Sequence, residues 1–147
     1  MAMKGFQFSA VLGAIALSIS TVATTTAANA QTAQPSPSDN AYLNQLYSFL
    51  ESEDANTYAM ATQSMTGEAN VWAAQMFCRT FEAGVSPADA FSVYTSSAIS
   101  QAAEQGVNIT EEMAYAVGLY GGAVMNLGSA HYCPLYQADV EQALQSL

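Results

Sequence analysis

Two cysteines, Cys78 and Cys133, constrain the fold of this 147-residue chain more than any other feature. In an exported protein, an even number of cysteines is most simply explained by disulfide bonds, and two cysteines allow one intramolecular pairing. The bridge would close a loop of about 56 residues. The entropy that this closure removes from the unfolded chain corresponds to about 4 kcal/mol of stabilisation. A redox pair or a reactive thiol is the alternative. It is disfavoured because the chain has no Cys-x-x-Cys motif and Arg79 is the only neighbouring cation.

Residues 1–30 have the three parts of a secretory signal peptide. A lysine lies among the first eight residues, residues 9–19 are apolar, and residues 20–30 are small and polar and end in Ala-Asn-Ala. A signal peptidase cleaves this pattern, so we predict cleavage after Ala30 and a secreted, periplasmic or cell-envelope location. The apolar run is shorter than the roughly 20 residues that a spanning helix requires. An uncleaved N-terminal anchor is the alternative, and no later segment is apolar for long enough to span a membrane.

The chain is strongly acidic, with 12 Asp and Glu residues against two Lys and Arg and a formal net charge of −10. Signal removal would leave Arg79 as its only Lys or Arg. Nucleic-acid binding requires several basic side chains to displace counterions from phosphates, so this function is excluded. Electrostatic binding to an anionic membrane surface is excluded for the same reason. The acidity is explained by solubility through mutual repulsion, or else by attraction to cations or basic partners.

Apolar residues at helical spacing, bounded by capping residues, glycines and prolines, divide the rest of the chain into helices. Residues 31–40 are rich in Pro, Ser and Gln and are predicted to be a flexible leader. Residues 41–147 are predicted to form one all-α domain, a small bundle of four to five helices with one disulfide. The clear helices cover about 41–51, 67–83, 87–105 and 111–132, and helicity is left open for 54–65 and 137–145. The predicted N-caps of the four clear helices are, in order, one of Ser38, Asp39 and Asn40, then Thr66, Ser86 and Thr110.

The surroundings of the cysteines carry a resemblance. Cys78, the following Phe-Glu-Ala-Gly-Val-Ser-Pro over residues 81–87, and Ala-His-Tyr-Cys-Pro over residues 130–134 resemble a small exported family. This family is best known from mycobacteria and is catalogued as domain of unknown function 732. The resemblance covers residues 42–134, and the chain departs from the family in a longer stretch between the cysteines and a tail beyond Pro134. It implies a helical domain with a Cys78–Cys133 bridge and supplies no activity.

Candidates for catalysis or metal binding are few. His131 is the only histidine, no Gly-x-Ser-x-Gly motif accompanies it, and its place near the end of a helix favours a packing role. Glu111 and Glu112 diverge by about 100° around a helix, which favours capping over acid–base work. One histidine with bridged cysteines leaves no zinc site, so we predict no metal and no cofactor. A pair of acids from distant elements stays open.

Glycines inside the last long helix indicate close packing or a binding surface. Each of Gly118, Gly121, Gly122 and Gly128 costs roughly 1 kcal/mol relative to alanine, so something should compensate. Close approach of a neighbouring helix is one explanation, and a smooth floor for a ligand is the other. Aromatic residues lie near these glycines and on the second helix. The resulting candidate apolar cleft, with a packed core as its alternative, comprises Trp72, Tyr115, Gly118, Tyr120 and Gly122.

These observations lead to three functional hypotheses. The first is an exported, non-enzymatic domain that binds a protein or a small apolar ligand between helices. The second is a hydrolase that uses distant carboxylates, which requires two facing acids and a raised pKa on one of them. The third is a structural cell-envelope component that binds divalent cations weakly through its acidic surface.

Overall fold

The computed structural model describes residues 36–146, which form six α-helices. The predicted signal peptide, residues 31–35 of the predicted leader and Leu147 lie outside the described residues. Within 36–146 there is no strand and there is one disulfide, so the predicted all-α fold with one bridge is confirmed. Both segments whose helicity was left open are helical, which brings the total to six. The helices are α1 (Pro37–Glu53), α2 (Ala55–Ala59), α3 (Gly67–Glu82), α4 (Pro87–Glu104), α5 (Glu111–Tyr132) and α6 (Gln137–Gln145), with a π-helical turn at Met60–Ser64 and a 3-10 turn at Pro134–Tyr136.

The first helix begins at Pro37, four residues earlier than predicted, so residues 37–40 are helical and do not belong to the leader. Ser36 is the N-cap: its Oγ accepts from the Asp39 backbone nitrogen at 3.2 Å, while the Ser36 nitrogen donates to Asp39 Oδ2 at 2.8 Å. This reciprocal pair is a capping box, and the proline at the first helical position has a backbone angle already suited to a helix. The predicted cap, one of the three residues after Pro37, is therefore wrong, because all three lie inside the helix.

Three other helix starts are capped by the residues that were expected. The hydroxyls of Thr66, Ser86 and Thr110 each accept a hydrogen bond from the backbone nitrogen three residues later, at 3.1 to 3.2 Å. After α3 and after α4 the chain turns at Gly84 and Gly106, whose φ angles are 88° and 76°. Glycine adopts this left-handed conformation readily, so each helix ends in a tight reversal into the next.

Among the described helices, α3 and α5 make the most extensive contact with each other. Ala74 faces Gly128, and four residues further along α3, Cys78 is bonded to Cys133 with a Cα–Cα distance of 5.7 Å. Because the residue numbers of the contacting pairs rise along both helices, α3 and α5 run parallel. A Cβ on Gly128 would lie 2.7 Å from the Ala74 Cβ, which real side chains do not tolerate. The predicted disulfide is therefore confirmed, and it lies beside a backbone contact that requires glycine.

The core lies between α1, α3 and α5, with the π-helical turn and α6 closing its ends. The most deeply buried apolar side chains come from all these elements, in agreement with the helical spacing noted above. They are Tyr42, Leu46, Leu50, Ala61, Ala74, Tyr120, Val124, Met125 and Val140.

A polar contact joins the start of α1 to the end of α5. The Tyr132 hydroxyl donates to Asp39 Oδ1 at 2.7 Å. This bond, together with the bonds from Ser36, lowers the pKa of the Asp39 carboxyl below its ordinary value, whereas burial opposes the shift. The pKa of Tyr132 is raised, by burial first and then by the bond to Asp39. The ionised carboxylate and the neutral phenol are thus the forms that the fold favours.

We expect Gly128→Ala to destabilise the protein. The added methyl group must displace Ala74, and such overpacking costs about 1–3 kcal/mol even in a helix that otherwise prefers alanine. The matched control is Gly118→Ala in the same helix, where no described residue comes within 4 Å of the new methyl group. That control should gain about 1 kcal/mol from helix propensity. Urea unfolding measures both changes, and equal effects of the two substitutions would contradict this packing.

The Asp39 contact predicts a pH dependence of stability. A carboxyl whose folded pKa is depressed contributes stability above its unfolded pKa, and this contribution disappears as pH falls through the folded pKa. We therefore expect Asp39→Asn to be less stable than the wild type at pH 7, with the difference shrinking below pH 3.8, the ordinary value for aspartate. Thermal unfolding across this range measures it. The comparison is Asp89→Asn, since the Asp89 carboxylate lies in the first turn of α4 and accepts from the Ser86 hydroxyl, with no tyrosine donor. A constant difference at all pH values would refute the role of the charge.

Candidate functional site

The face of α5 that carries Gly118, Gly121 and Gly122 is turned toward α4. The two helices are joined by a short connection, in which Gly106 adopts the left-handed conformation after α4 and Thr110 is the N-cap of α5. Tyr94 and Phe91 of α4 lie against Gly121, and Phe91 also approaches Gly122. Since the α4 residue number falls as the α5 number rises, the helices are antiparallel.

Two of the four glycines are explained by packing. A Cβ on Gly121 would lie 2.6 Å from Tyr94 Cε1 and 2.8 Å from Tyr94 Cδ1, so the ring rests directly on the α5 backbone. Gly128 meets Ala74 in the same way. A Cβ on Gly122 would lie at ordinary contact distance from its neighbours, 3.6 Å from Leu144 of α6 and 3.9 Å from Phe91. Close approach, the first explanation considered for these glycines, therefore accounts for Gly121 and Gly128.

Gly118 differs from these glycines. No described residue lies within 4 Å of the position that its Cβ would occupy. It precedes Gly121 and Gly122 by three and four residues, so it lies on the same face of α5 one turn earlier. Because α4 and α5 are antiparallel, the turn of α5 before Gly121 corresponds to the turn of α4 after Tyr94, which contains the buried Ala98. We call the open position beside Gly118 the Gly118 gap.

The structure separates the five residues of the predicted cleft. Tyr115 is 57% exposed and lies one turn before Gly118, beside the Gly118 gap, whereas Gly122 on the same face is covered by Leu144. Tyr120 points to the other side of α5 and is 1% exposed. Trp72 is 46% exposed and follows Asn70 by two residues, which a step of about 100° per residue places on the outer side of α3. Tyr120 therefore belongs to the core and Trp72 to a different surface.

Asn70 of α3 lies at the centre of a buried polar cluster that the sequence analysis missed. Its side chain is fully buried, and Nδ2 donates to the backbone oxygens of Ala61 at 3.0 Å and Thr66 at 2.9 Å. Oδ1 accepts from the Tyr120 hydroxyl at 2.8 Å, and the Asn70 carbonyl accepts from the Tyr42 hydroxyl at 3.3 Å. A polar residue in the apolar stripe of α3 was the available signal. The cluster joins α1, α3 and α5.

Burial governs the chemistry of these phenols. It is the largest cause that raises the pKa of Tyr42 and of Tyr120 well above the ordinary value, because the apolar surroundings disfavour the phenolate. Both side chains are hydrogen-bond donors at neutral pH and neither is available as a base. The Asn70 cluster therefore stabilises and orients the helices.

Two buried oxygen atoms have no hydrogen-bond partner among the described residues. They are the Tyr94 hydroxyl and Gln101 Oε1, both on α4. Seven residues separate them, which puts them on one face of the helix two turns apart. An unpaired buried polar group costs about 1–3 kcal/mol, so two of them on one helix face require an explanation.

The carboxylates of the acidic residues do not form a buried cluster. Ten of the 12 carboxylates are exposed, including Glu111 and Glu112 at the start of α5, and the other two, Asp39 and Asp54, are half-buried. Asp54 caps α2: the hydroxyl and the backbone nitrogen of Thr57 donate to it, and these bonds lower its pKa. Ionised capping groups of this kind serve the helices and are poorly suited to act as acids.

His131 also has a structural environment. Its Nε2 lies 3.1 Å from Gln45 Oε1, and its ring packs edge-on against Tyr42. Residues 36–146 contain no group of three His, Cys, Asp or Glu side chains placed to hold a metal ion. The predicted absence of a metal and a cofactor stays a prediction.

Comparison with known proteins finds no matching family model, no matching curated protein and no matching solved structure. None of the helices within residues 36–146 combines the length and the hydrophobicity that a bilayer crossing demands. The chain is therefore described by its own architecture, a disulfide-closed bundle with a buried Asn70 cluster and the Gly118 gap.

We expect Tyr120→Phe to lower the free energy of unfolding by about 1–3 kcal/mol, because it leaves Asn70 Oδ1 buried without its donor. The control is Tyr115→Phe on the exposed side of the same helix, which should change the stability by less than about 0.5 kcal/mol. Denaturant unfolding measures both. Equal stability of the two variants would show that the Tyr120–Asn70 hydrogen bond contributes nothing.

Proposed function

We propose that this chain is an exported, non-enzymatic domain that binds a small apolar ligand in the Gly118 gap between α4 and α5. The observation that carries the proposal is the contrast among the glycines of α5. Gly121 and Gly128 are required by close neighbours, whereas Gly118 has no described atom within 4 Å of its Cβ position. A glycine inside a helix costs about 1 kcal/mol relative to alanine, and packing within residues 36–146 does not offset that cost at Gly118.

The surroundings of the gap support an apolar ligand. The buried Ala98 is at the corresponding level of α4 by register, Val117 next to Gly118 in the chain is buried, and the exposed ring of Tyr115 lies one helical turn away. Ligand sites in helical proteins lie between helices and are lined mainly by apolar and aromatic side chains with few polar groups. Gaps between helices with small residues on both sides accept such molecules without displacing backbone.

Export and family membership are part of the same proposal. The Cys78–Cys133 disulfide fits an oxidising compartment, which supports a secreted, periplasmic or cell-envelope location. Removal of residues 1–30 is the part of this proposal that rests on the sequence pattern. Membership in domain of unknown function 732 is proposed on the sequence resemblance, which implies a bridge between the same two cysteines. The hydrolase alternative gains no support from the carboxylates, which lie exposed or at helix caps. The cation-binding alternative gains none from residues 36–146, where no three His, Cys, Asp or Glu side chains are placed to hold a metal ion.

Filling the gap tests the proposal. We expect the wild-type chain to bind the neutral apolar dye N-phenyl-1-naphthylamine with a rise in fluorescence, and Gly118→Leu to abolish that rise by occupying the space. The matched control is Ala130→Leu, which adds the same side chain at an exposed position near the end of α5. Circular dichroism confirms that both variants remain folded.

Two results would contradict the proposal. The first is a wild-type chain that does not bind the dye. The second is a folded Gly118→Leu variant that binds it as well as the Ala130→Leu variant does.

A further inference from the structure

We infer that the ligand of the Gly118 gap is a cationic amphiphile, whose apolar chain lies beside Gly118 and whose ammonium group lies at the start of α5. The groups that hold the ammonium are the Tyr115 ring and the carboxylates of Glu111 and Glu112. This inference rests on the proposed function and names the chemical class of its ligand. It is carried by the order of side chains along one face of α5, an observation separate from the contrast among the glycines.

One continuous helix fixes the relative positions of these residues. A step of about 100° per residue places Glu111, Tyr115 and Gly118 within about 60° of one another around α5. Glu112 lies about 60° from Tyr115 on the other side. Each of these residues is three or four positions from the next, the spacing at which helical side chains are neighbours. The face therefore presents two carboxylates, an aromatic ring and an open position, in that order.

The two ends of this face differ in polarity. At the outer end, Glu111 and Glu112 are exposed, and Tyr115 beside them is 57% exposed. At the inner end, one turn past Gly118, the Leu144 side chain covers Gly122. The rise from Glu111 to Gly118 is about 10 Å along the helix axis. A molecule with a charged head group and a short apolar chain matches this order and this length.

The electrostatics of the outer end favour a cation. Two ionised carboxylates carry a full negative charge each, whereas the positive end of a helix dipole amounts to about half a charge. Arg79, the only Lys or Arg within residues 36–146, follows Cys78, which is bonded to Cys133 at the opposite end of α5. That end is about 33 Å from Glu111 along the helix axis, far beyond the Debye length of about 8 Å at physiological salt. An anionic head group would therefore be repelled.

Tyr115 supplies a second attraction for the same head group. The face of an aromatic ring attracts an ammonium group, because the ring quadrupole is negative above and below its plane. Helical side chains lean toward the N-terminus of their helix, so the Tyr115 ring is directed toward the turn that carries Glu111 and Glu112. A cation at this place contacts the ring and a carboxylate at the same time.

Probes that differ in head-group charge separate this inference from the proposed function. The chain is titrated by calorimetry with octyltrimethylammonium, 1-octanol and octanoate. We expect the cation to bind about tenfold more tightly than octanol, the combined effect of one cation–π contact and an exposed ion pair. Octanoate should bind more weakly than octanol. The preference for the cation should shrink as the salt concentration rises, because exposed charges are screened.

Variants assign the contacts of the head group. Glu111→Gln combined with Glu112→Gln should lower the affinity for the cation to that for octanol. The matched control is Glu82→Gln combined with Glu141→Gln, which removes the same charge from exposed positions on α3 and α6 and should retain the preference. Tyr115→Leu should weaken binding of the cation, and Tyr115→Phe should restore it, because the aromatic face returns. Circular dichroism confirms that each variant is folded.

Each outcome decides one of the two claims. If the three probes bind equally and Gly118→Leu abolishes binding of all three, the gap binds apolar ligands but the inference fails. The inference also fails if the Glu111→Gln/Glu112→Gln variant keeps the preference for the cation, or if the control variant loses it, since the attraction then comes from the charge of the whole surface. If no probe binds the wild type, or if all bind Gly118→Leu unchanged, the proposed function fails and the inference fails with it.

Discussion

Parallel packing of α3 against α5 holds the rest of the molecule in place. The backbone of Gly128 meets the Ala74 side chain at a distance that admits no further carbon atom, and the Cys78–Cys133 bridge fastens the same two helices one turn away. Because the pair is locked in register, the antiparallel α4 must lie in the groove beside both of them. Tyr94 consequently meets Phe77 of α3 and Gly121 of α5 at the same time. The position of the Gly118 gap follows from that register, since it begins one turn beyond the Tyr94 contact.

Polar atoms in the interior fall into two groups with different consequences. Asn70 is surrounded by donors and acceptors, and a fully satisfied buried network of this kind favours one arrangement of the helices over its alternatives. The Tyr94 hydroxyl and Gln101 Oε1 are buried atoms that lack hydrogen-bond partners within residues 36–146. Each therefore carries a desolvation cost that the Asn70 cluster avoids.

The distribution of charge supports the same division. The carboxylates lie at helix ends and on outer faces, where they cap backbone nitrogens or face solvent. The interior interactions are made by amides, phenols and apolar groups, none of which carries a charge at neutral pH. The site that we propose would therefore recognise a ligand by shape and apolar contact, in a chain whose formal net charge is −10.

Local signals in the sequence were sufficient for the helices and the bridge. Thr66, Ser86 and Thr110 could be identified as caps because the capping hydrogen bond joins residues three apart, and two cysteines allow a single pairing. Ser36 was missed although Ser-Pro-x-Asp occurs both there and at the start of α4, where the pattern was recognised. The all-α class and the absence of strands followed from the same short-range periodicity.

Tertiary structure alone decided what each glycine and each aromatic residue does. Gly118, Gly121 and Gly128 are the same residue type in one helix, yet they face an open gap, the Tyr94 ring and the Ala74 side chain. Their surroundings come from residues distant in sequence, whose approach depends on the register of whole helices and not on any local pattern. For the same reason Tyr120, predicted to line a cleft, lies in the core. The sequence by itself determined which segments are helical, because those interactions span one turn, and only the packed structure decided which faces meet.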